Sequence, residues 1–157
     1  MVSTNSEGLL VEKGPTWTKT SMLFTHLVHQ IRRQERQPRS LGKVGSFTPS
    51  EIHTIRTIGT GDGIIMGQLA DRLGVTNGAI TQLVERMENK GLVKRAQLMR
   101  GSRKVNVTLT DKGQSAYYAY EQFYVKPFEE WIRDELSEKE FRSFEKGLNK
   151  LIEFLSV

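Results

Sequence analysis

The stretch IIMGQLADRLGVTNGAITQLVERMENKGLVKRAQLMRGSRKVNVTL, residues 64–109, decides the fold of this chain. Within it a helix is predicted to begin at Thr76, because apolar residues then recur at the i, i+3, i+4, i+7 spacing that places them on one side of a helix. Those residues are Ile80, Leu83, Val84 and Met87, and we expect them to be buried. The opposite side carries short polar side chains with little charge.

A second, shorter helix is predicted directly upstream of Thr76. The segment MGQLADRL, residues 66–73, is amphipathic, and Gly74 supplies a C-terminal stop. Thr76 itself is a good N-cap for the helix that follows. Two helices joined by so short a glycine-containing turn are typical of a helix-turn-helix.

A β-hairpin is predicted after Gly91, which ends the second helix. Residues 92–95 begin an extended run, and residues 104–109 alternate polar and apolar at the period of a strand. Residues 99–102 contain the glycine expected at a hairpin tip. Seven basic residues and one acid, Glu88, lie between positions 86 and 104, so this hairpin, or wing, is either solvated or opposite a polyanion.

Composition excludes several classes of mechanism. The 157 residues contain no cysteine, which excludes disulfides, a thiolate redox sensor and a cysteine zinc site. The 23 basic and 18 acidic residues give a net charge of +5, which favours anionic partners without identifying them. Neither a signal peptide nor a membrane-spanning run is evident, so a soluble cytoplasmic protein without membrane contact is expected.

Four segments are predicted in chain order. Residues 1–15 form a flexible arm, 16–47 an N-terminal helix and connector, 48–110 a winged helix-turn-helix, and 111–157 the C-terminal helices. The first helix should end before Pro38, and Pro127 should kink the C-terminal helices. Capping boxes are predicted at 48–51 and 137–140, and Thr110 should cap the helix after the wing. The fold class is therefore mainly α with a small β-hairpin wing.

The glycine-rich run at residues 59–63 is interpreted as a flexible turn. A phosphate-cradling loop would need a buried strand before it and a Lys-Ser/Thr pair after it, and both are missing. Ile64 and Ile65 are expected to add one short strand beside the wing.

The terminal helices carry wide apolar stripes that the winged helix does not need for its own core. A monomer would expose more apolar surface than is usual, and a second copy would bury it, so a homodimer is expected. The residues predicted to form its interface are Leu23, Leu27, Ile31, Tyr120, Tyr124, Trp131, Phe144, Leu148, Leu151 and Leu155. The aromatic residues among them are interpreted as packing residues rather than as a cofactor site, and no cofactor is expected.

The chain resembles the MarR family of transcriptional regulators over roughly residues 16–155. The resemblance is carried by LADRLGV at 69–75, QLVERMENKGLV at 82–93 and VTLTDKG at 107–113. It implies a dimer joined by its terminal helices, DNA read in the major groove with wings at the minor groove, and a small ligand that releases DNA. The family's wing commonly reads Asp-Arg-Arg, where this chain has Gly101, Ser102 and Arg103, so Arg100 is a candidate substitute.

Candidate contacts to double-stranded DNA lie on the second helix and on the wing. A glutamine such as Gln82 pairs bidentately with adenine, a threonine such as Thr81 reaches a phosphate or a thymine methyl, and Gly78 permits close backbone approach. A wing-tip arginine such as Arg103 suits phosphate or the minor groove. The full set is Thr76, Asn77, Gly78, Thr81, Gln82, Arg86, Arg100, Ser102, Arg103 and Lys104. Twofold symmetry would match a pseudo-palindromic operator.

Other functions receive less support from the sequence. His26 and His29 lie at i, i+3, but a metal site needs three or four convergent ligands, so no metal is expected. No nucleophile elbow is present, and enzymatic activity is not expected. The leading hypothesis is a repressor released by an organic, aromatic or anionic effector that binds near residues 16–22 and 117–120. The alternatives are a winged-helix interaction scaffold that has lost strong DNA binding, and a metal-responsive regulator.

Overall fold

The computed structural model describes residues 3–4, 10–11, 17–99 and 101–155. The chain divides into two compact units, residues 1–38 and 39–157. The elements in order are β1 (Ser3–Thr4), β2 (Leu10–Val11), α1 (Trp17–Gln34), β3 (Arg39–Ser40), a 3-10 turn (Gly42–Val44), β4 (Ser46–Phe47), α2 (Pro49–Ile58), β5 (Ile64–Ile65), α3 (Met66–Leu73), α4 (Asn77–Asn89), β6 (Val93–Gln97), β7 (Val105–Leu109), α5 (Asp111–Tyr120), a π-helical turn (Glu121–Val125), α6 (Lys126–Glu135) and α7 (Glu138–Leu155).

The first unit consists of two short strands and one long helix. Strands β1 and β2 pair antiparallel, and the rest of the predicted arm at 1–15 lies outside the described residues. Helix α1 ends at Gln34, three residues earlier than the sequence suggested. The amide of Glu35 still donates to Ile31, four residues back, whereas those of Arg36 and Gln37 donate to carbonyls three residues back, so the chain leaves the helix through a tighter turn before Pro38.

The second unit begins its core at α2, whose N-terminus is the predicted capping box. The amide of Glu51 donates to Thr48 Oγ1 at 3.3 Å, and the amide of Thr48 donates to Glu51 Oε2 at 2.9 Å. Both bonds satisfy amides that a helix N-terminus leaves without partners. The apolar side of α2, Ile52, Ile55 and Ile58, is buried.

The helix-turn-helix is formed by α3 and α4, as predicted. Gly74 ends α3 in the left-handed conformation with φ of +63°, and Thr76 Oγ1 accepts the amide of Ala79 to cap α4. Ile80, Val84 and Met87 have no exposed surface, whereas Leu83 is partly buried. The apolar stripe read from the sequence is therefore the buried side of α4.

The wing is a three-stranded antiparallel sheet in the order β5-β7-β6. Val93 pairs with Leu109 and Gln97 with Val105 across the hairpin, and Ile64 pairs with Val107 on the other edge. The short strand expected at residues 64–65 is thus confirmed. Gly101 has φ of +82°, a conformation that favours glycine, at the predicted hairpin tip.

Helix α5 starts where Thr110 Oγ1 accepts the amide of Gly113, the predicted cap. A Cβ at Gly113 would collide with the carbonyl oxygen of Leu92, so glycine lets α5 lie directly against the end of α4. The Thr110 hydroxyl donates to the carbonyl of Gly91 at 2.6 Å. The start of α5 is therefore joined tightly to the segment that follows α4.

The interruption expected at Pro127 takes the form of a π-helical turn over Glu121–Val125. The amide of Lys126 donates to the carbonyl of Glu121, five residues back, so the ladder widens just before the residue that lacks an amide proton. The second capping box is also confirmed, because the amide of Ser137 donates to Glu140 Oε2 at 2.9 Å and the amide of Glu140 to Ser137 Oγ at 3.4 Å. It opens α7.

Candidate nucleic-acid interface

An open cleft of about 570 Å³ lies between the N-terminal part of α4 and the wing. Its floor is largely apolar, and its rim carries amide, hydroxyl and cationic side chains. The lining residues are Ile65, Met66, Gly67, Asn77, Thr81, Arg95, Ala96, Gln97, Arg103, Lys104 and Val105. Four of these, Asn77, Thr81, Arg103 and Lys104, belong to the DNA contacts predicted from sequence, so the fold brings the helix and wing candidates to one surface.

The hydroxyl groups on α4 differ in what they offer a partner. Thr76 Oγ1 accepts the amide of Ala79 at 3.2 Å, which leaves its proton for donation to an outside acceptor such as phosphate. Thr81 Oγ1 donates to the carbonyl of Asn77 at 2.7 Å, so its proton is already engaged. Thr81 therefore presents its methyl group, which suits a thymine methyl better than a phosphate.

The remaining predicted residues of α4 are exposed. Asn77, Gly78, Gln82 and Arg86 all point away from the core. A Cβ at Gly78 would meet nothing within 4 Å, so the chain's own packing does not require glycine there.

The wing tip is ordered by its own hydrogen bonds. The amide of Ser102 donates to the carbonyl of Met99 at 2.9 Å, and Ser102 Oγ accepts the amide of Lys104 at 3.0 Å. Ser102 is thus engaged in the turn, while Arg103 and Lys104 are exposed. Arg100, another predicted contact, lies outside the described residues.

A carboxylate on α4 binds the base of the wing. Glu88 Oε2 accepts a hydrogen bond from Arg95 Nε at 2.8 Å and lies 2.6 Å from Arg95 Nη2, and Glu88 Oε1 accepts the amide of Arg95 at 3.1 Å. The hydrogen bonds from the Arg95 side chain hold the pKa of Glu88 below its ordinary value of 4.5. Helix and wing are therefore connected by a charge-assisted pair at neutral pH.

A second carboxylate, that of Glu51 in α2, binds the C-terminal end of α4. Glu51 Oε1 lies 2.5 Å from Lys90 Nζ, with 5% of the Glu51 side chain and 52% of the Lys90 side chain exposed. Burial alone would raise the pKa of Glu51, but the Lys90 ammonium and the Thr48 amide outweigh it and hold the pKa below 4.5. Lys112 Nζ donates to the carbonyl of Lys90 at 2.8 Å, so α2, α4 and α5 converge at this residue.

Most residues predicted at the dimer interface are exposed in the single chain. They are Leu23, Leu27, Ile31, Trp131, Phe144, Leu148, Leu151 and Leu155. Helices α1 and α7 each have 18 residues and bury none of them. Tyr120 differs, because only 9% of it is exposed and it belongs to the core of the second unit, with the half-buried Tyr124 stacked on it at 5.2 Å. Tyr120 therefore serves intrachain packing and offers little surface to a second copy.

A polar cleft of about 290 Å³ adjoins this tyrosine pair. Its lining residues are His53, Arg56, Thr57, Leu73 and Tyr117. The guanidinium carbon of Arg56 lies 5.2 Å from the Tyr120 ring centroid, and Arg56 Nε lies 3.8 Å from Glu121 Oε1. Of the two segments expected to form an effector site, 117–120 lies beside this cleft, whereas 16–22 belongs to the other unit.

No metal centre is assembled among residues 17–99 and 101–155. Within that part of the chain no group of three or more His, Asp or Glu side chains converges. His26 Nε2 lies 3.3 Å from Gln30 Nε2 of the same helix. The metal-responsive alternative thus gains no support. None of the described helices is long and apolar enough to cross a membrane.

Comparison with known proteins agrees with this geometry. Residues 47–105 match the model of the MarR family. FabT of Streptococcus pneumoniae, solved in complex with DNA, is 27% identical with a TM-score of 0.75, and the match covers 90% of this chain and 98% of FabT. The chain is therefore similar to the MarR family over residues 47–105, and its fold is the one seen in FabT.

Two further MarR-type structures share the fold. AbsC, a MarR family transcriptional regulator of Streptomyces coelicolor, is 22% identical with a TM-score of 0.66, over 92% of this chain and 98% of AbsC. A cysteine-to-serine mutant of Escherichia coli MarR, complexed with operator DNA, is 21% identical with a TM-score of 0.64, over 87% of this chain and 99% of that chain. No curated protein sequence matches this chain.

Sequence reasoning missed Arg95 as a member of the cleft. The available signal was its position two residues after Val93, which places both side chains on one side of the strand. Its ion-pair partner, Glu88, lies seven residues earlier on α4, and only the turn at Gly91 brings the two together.

Proposed function

We propose that this protein is a dimeric, sequence-specific DNA-binding repressor whose operator is pseudo-palindromic and whose release is triggered by a small organic effector. The observation that carries the proposal is the cleft that joins the exposed side of α4 to the cationic wing. It combines hydrogen-bonding groups that suit base edges with cations that suit phosphate. The resemblance to FabT, a protein solved with DNA bound, supports the same function.

The DNA-binding part is tested by titrating two duplexes at several salt concentrations. One duplex comes from the region upstream of the protein's own gene, and the other has the same composition in scrambled order. Binding to both should weaken steeply with salt, because cations that neutralise phosphates release counterions. The upstream duplex should retain higher affinity at every salt concentration. Absence of salt-dependent duplex binding would favour the interaction scaffold instead.

Dimerisation is supported by α7, whose apolar side is exposed along its whole length. Phe144, Leu148 and Leu151 are each about 40% exposed, and Leu155 is 67% exposed. An 18-residue helix with no buried residue gains little packing energy from its own chain. A second copy would cover this side and would also place two copies of α4 on adjacent half-sites.

Repression is tested by transcription in vitro from the upstream promoter. Added protein should lower the yield of transcript in proportion to operator occupancy, and a mutated operator should abolish the effect. An increase in transcript would assign the protein as an activator.

The effector is proposed to be an aromatic carboxylate or phenolate bound in the cleft beside Tyr117. Arg56 and His53 supply cationic or hydrogen-bonding groups, and Leu73 and the Tyr117 ring supply apolar surface. A ligand releases DNA only if its affinity differs between the bound and free conformations, with typical coupling of about 1–3 kcal/mol.

A screen of aromatic carboxylates and phenolates tests the effector. A true effector should raise the melting temperature and weaken operator binding, and Arg56→Gln should abolish both responses. Lys43→Gln, which removes an exposed cation elsewhere in the same unit, is the matched control. If no compound changes both properties, the sensing role is refuted.

A further inference from the structure

Arg95 lies on the same side of the wing's first strand as Val93. Val93 is buried, and the antiparallel partner of Arg95 across the hairpin, Val107, has no exposed surface. Side chains two residues apart in a strand share a side, but Arg95 and Gln97 are exposed, so the strand leaves the core after Val93. The guanidinium therefore lies where the buried part of the strand meets the cleft.

Glu88 holds this guanidinium in one orientation. One carboxylate oxygen accepts from Nε at 2.8 Å and lies 2.6 Å from Nη2, and the other accepts the Arg95 amide at 3.1 Å. The two side chains remain about one third exposed, at 32% for Arg95 and 33% for Glu88. The pair is thus ordered but still accessible from the cleft.

Only part of the guanidinium is engaged by Glu88. An arginine side chain has five N–H donors in a planar fork, and Glu88 engages at most two of them. Arg95 also lines the cleft, beside Arg103, Lys104 and Thr81. The unused donors are suited to a phosphate oxygen, and their fixed orientation lowers the entropy lost when one binds.

We propose that Arg95 contacts a DNA phosphate and that Glu88 is its positioning residue. The inference rests on the proposed DNA-binding function and assigns to it two residues outside the predicted contact set. Arg103, at the wing tip, has no carboxylate ion-pair partner among the described residues, so the cation that a carboxylate orients lies at the base of the wing.

A simpler electrostatic model predicts a change in DNA affinity of the opposite sign when the Glu88 carboxylate is removed. If Glu88 merely neutralised Arg95, its removal would free a cation and strengthen DNA binding, as loss of any acid near a polyanion does. If Glu88 orients Arg95, its removal weakens binding although the protein becomes more positive. The sign of the change therefore separates positioning from neutralisation.

Four variants of the full-length protein test the proposal on a scrambled duplex at several salt concentrations. They are Glu88→Gln, Arg95→Lys, Arg95→Ala and the control Glu85→Gln. The control removes the same charge from an exposed position of the same helix. Far-UV circular dichroism and thermal melting verify that each variant is folded.

Glu88→Gln should bind about 3- to 10-fold more weakly than Glu85→Gln, with the salt slope of the wild type, because the cation persists without its orientation. Arg95→Lys should also bind more weakly with the salt slope of the wild type, because a lysine keeps the charge without the planar fork. The test therefore remains valid if one of these two variants fails to fold. Arg95→Ala should also lose about one unit of the slope of log K against log salt.

Binding by Glu88→Gln that equals or exceeds that of Glu85→Gln would overturn the positioning role. An unchanged salt slope in Arg95→Ala would overturn the phosphate contact. Both results leave the proposed function intact as long as the wild type binds duplex DNA with steep salt dependence. Failure of the wild type to do so would overturn the proposed function together with this inference.

Discussion

Helices α4 and α7 have the same kind of sequence pattern and opposite surroundings. In α4, Ile80, Val84 and Met87 are fully buried against the chain's own core. In α7 the equivalent stripe, including Phe144 and Leu148, remains about 40% exposed, and the helix buries no residue. The comparison teaches that an amphipathic stripe specifies which side of a helix will be covered but not what covers it.

The two helices also differ in how their ends are held. Around α4, Glu51 binds Lys90 and Glu88 binds Arg95, so charged pairs fix the helix to α2 and to the wing. An ion pair on α7 joins Arg142 to Glu138 of the same helix at 2.8 Å, and it is exposed. Exposed pairs of this kind contribute little. We therefore expect α4 to be positioned by its own chain and α7 by a second copy.

The largest expected effect comes from Leu148→Ser combined with Leu151→Ser. Each buried leucine contributes on the order of 1.5–3 kcal/mol, and twofold symmetry doubles the count, so the dimer should lose at least about 6 kcal/mol. Sedimentation at micromolar concentration should then detect no folded dimer. The control Lys146→Ser with Lys150→Ser changes two residues on the opposite side of the same helix and should remain dimeric. A wild type that is a stable, folded monomer would refute the arrangement.

Ile80→Ala tests whether α4 is held by packing against its own chain. The side chain has no exposed surface, so its truncation should cost about 2–5 kcal/mol of unfolding free energy, measured by urea denaturation. Gln82→Ala, exposed on the same helix, should change it by less than about 0.5 kcal/mol. If the two variants were equally stable, α4 would not be anchored by its own core.

Lys90→Met tests whether the ion pair with Glu51 fixes α4 to α2. Without the ammonium, the buried Glu51 carboxylate loses its charged partner, and the protein should lose about 1–3 kcal/mol at pH 7. Because the pKa of Glu51 is lowered in the folded protein, its contribution is present above about 4.5 and is lost as pH falls through the lowered value. The difference between wild type and Lys90→Met should therefore shrink in urea titrations below pH 4.5. A pH-independent difference would show that Glu51 is not involved.

Gln82→Ala and Arg103→Ala test the DNA contacts proposed for α4 and for the wing. Gln82→Ala should cost about 1–3 kcal/mol on the operator and little on scrambled duplex, because it removes a base contact. Arg103→Ala should weaken binding to both duplexes and lower the salt slope by about one, because it removes a cation near phosphate. Titrations of both duplexes at several salt concentrations give the profiles. Indistinguishable affinity and salt profiles would refute the assignment of α4 to base contacts and of the wing to contacts with the DNA backbone.

Local structure was predictable where one residue type satisfies one backbone requirement. Thr48, Thr76, Thr110 and Ser137 cap helices as expected, because a short hydroxyl side chain reaches amides that the helix leaves unpaired. The positive φ of Gly101 likewise follows from its place at a hairpin tip. These features depend on contacts within a few residues.

Residue roles were less predictable where contacts are distant in sequence or compete. Tyr120 shares a helical stripe with exposed Trp131, yet it is buried in the core and stacked on Tyr124. Helical spacing cannot separate the two, because it reports a side of the helix and not the neighbouring element. The Ser102 hydroxyl accepts the amide of Lys104 within the wing turn, a bond that the sequence did not predict, and it keeps its proton for donation, so its DNA contact stays a prediction.

The sequence by itself determined the helix-turn-helix, the wing, the helix caps and the resemblance to the MarR family. Each follows from periodicity or from short-range hydrogen bonding, which the order of residues contains directly. Only the tertiary structure decided that Glu51 fixes Lys90 across 39 positions and that Glu88 orients Arg95 into the cleft. Those pairs depend on how helices cross and strands turn, which are set by the packing of the whole core rather than by any local pattern.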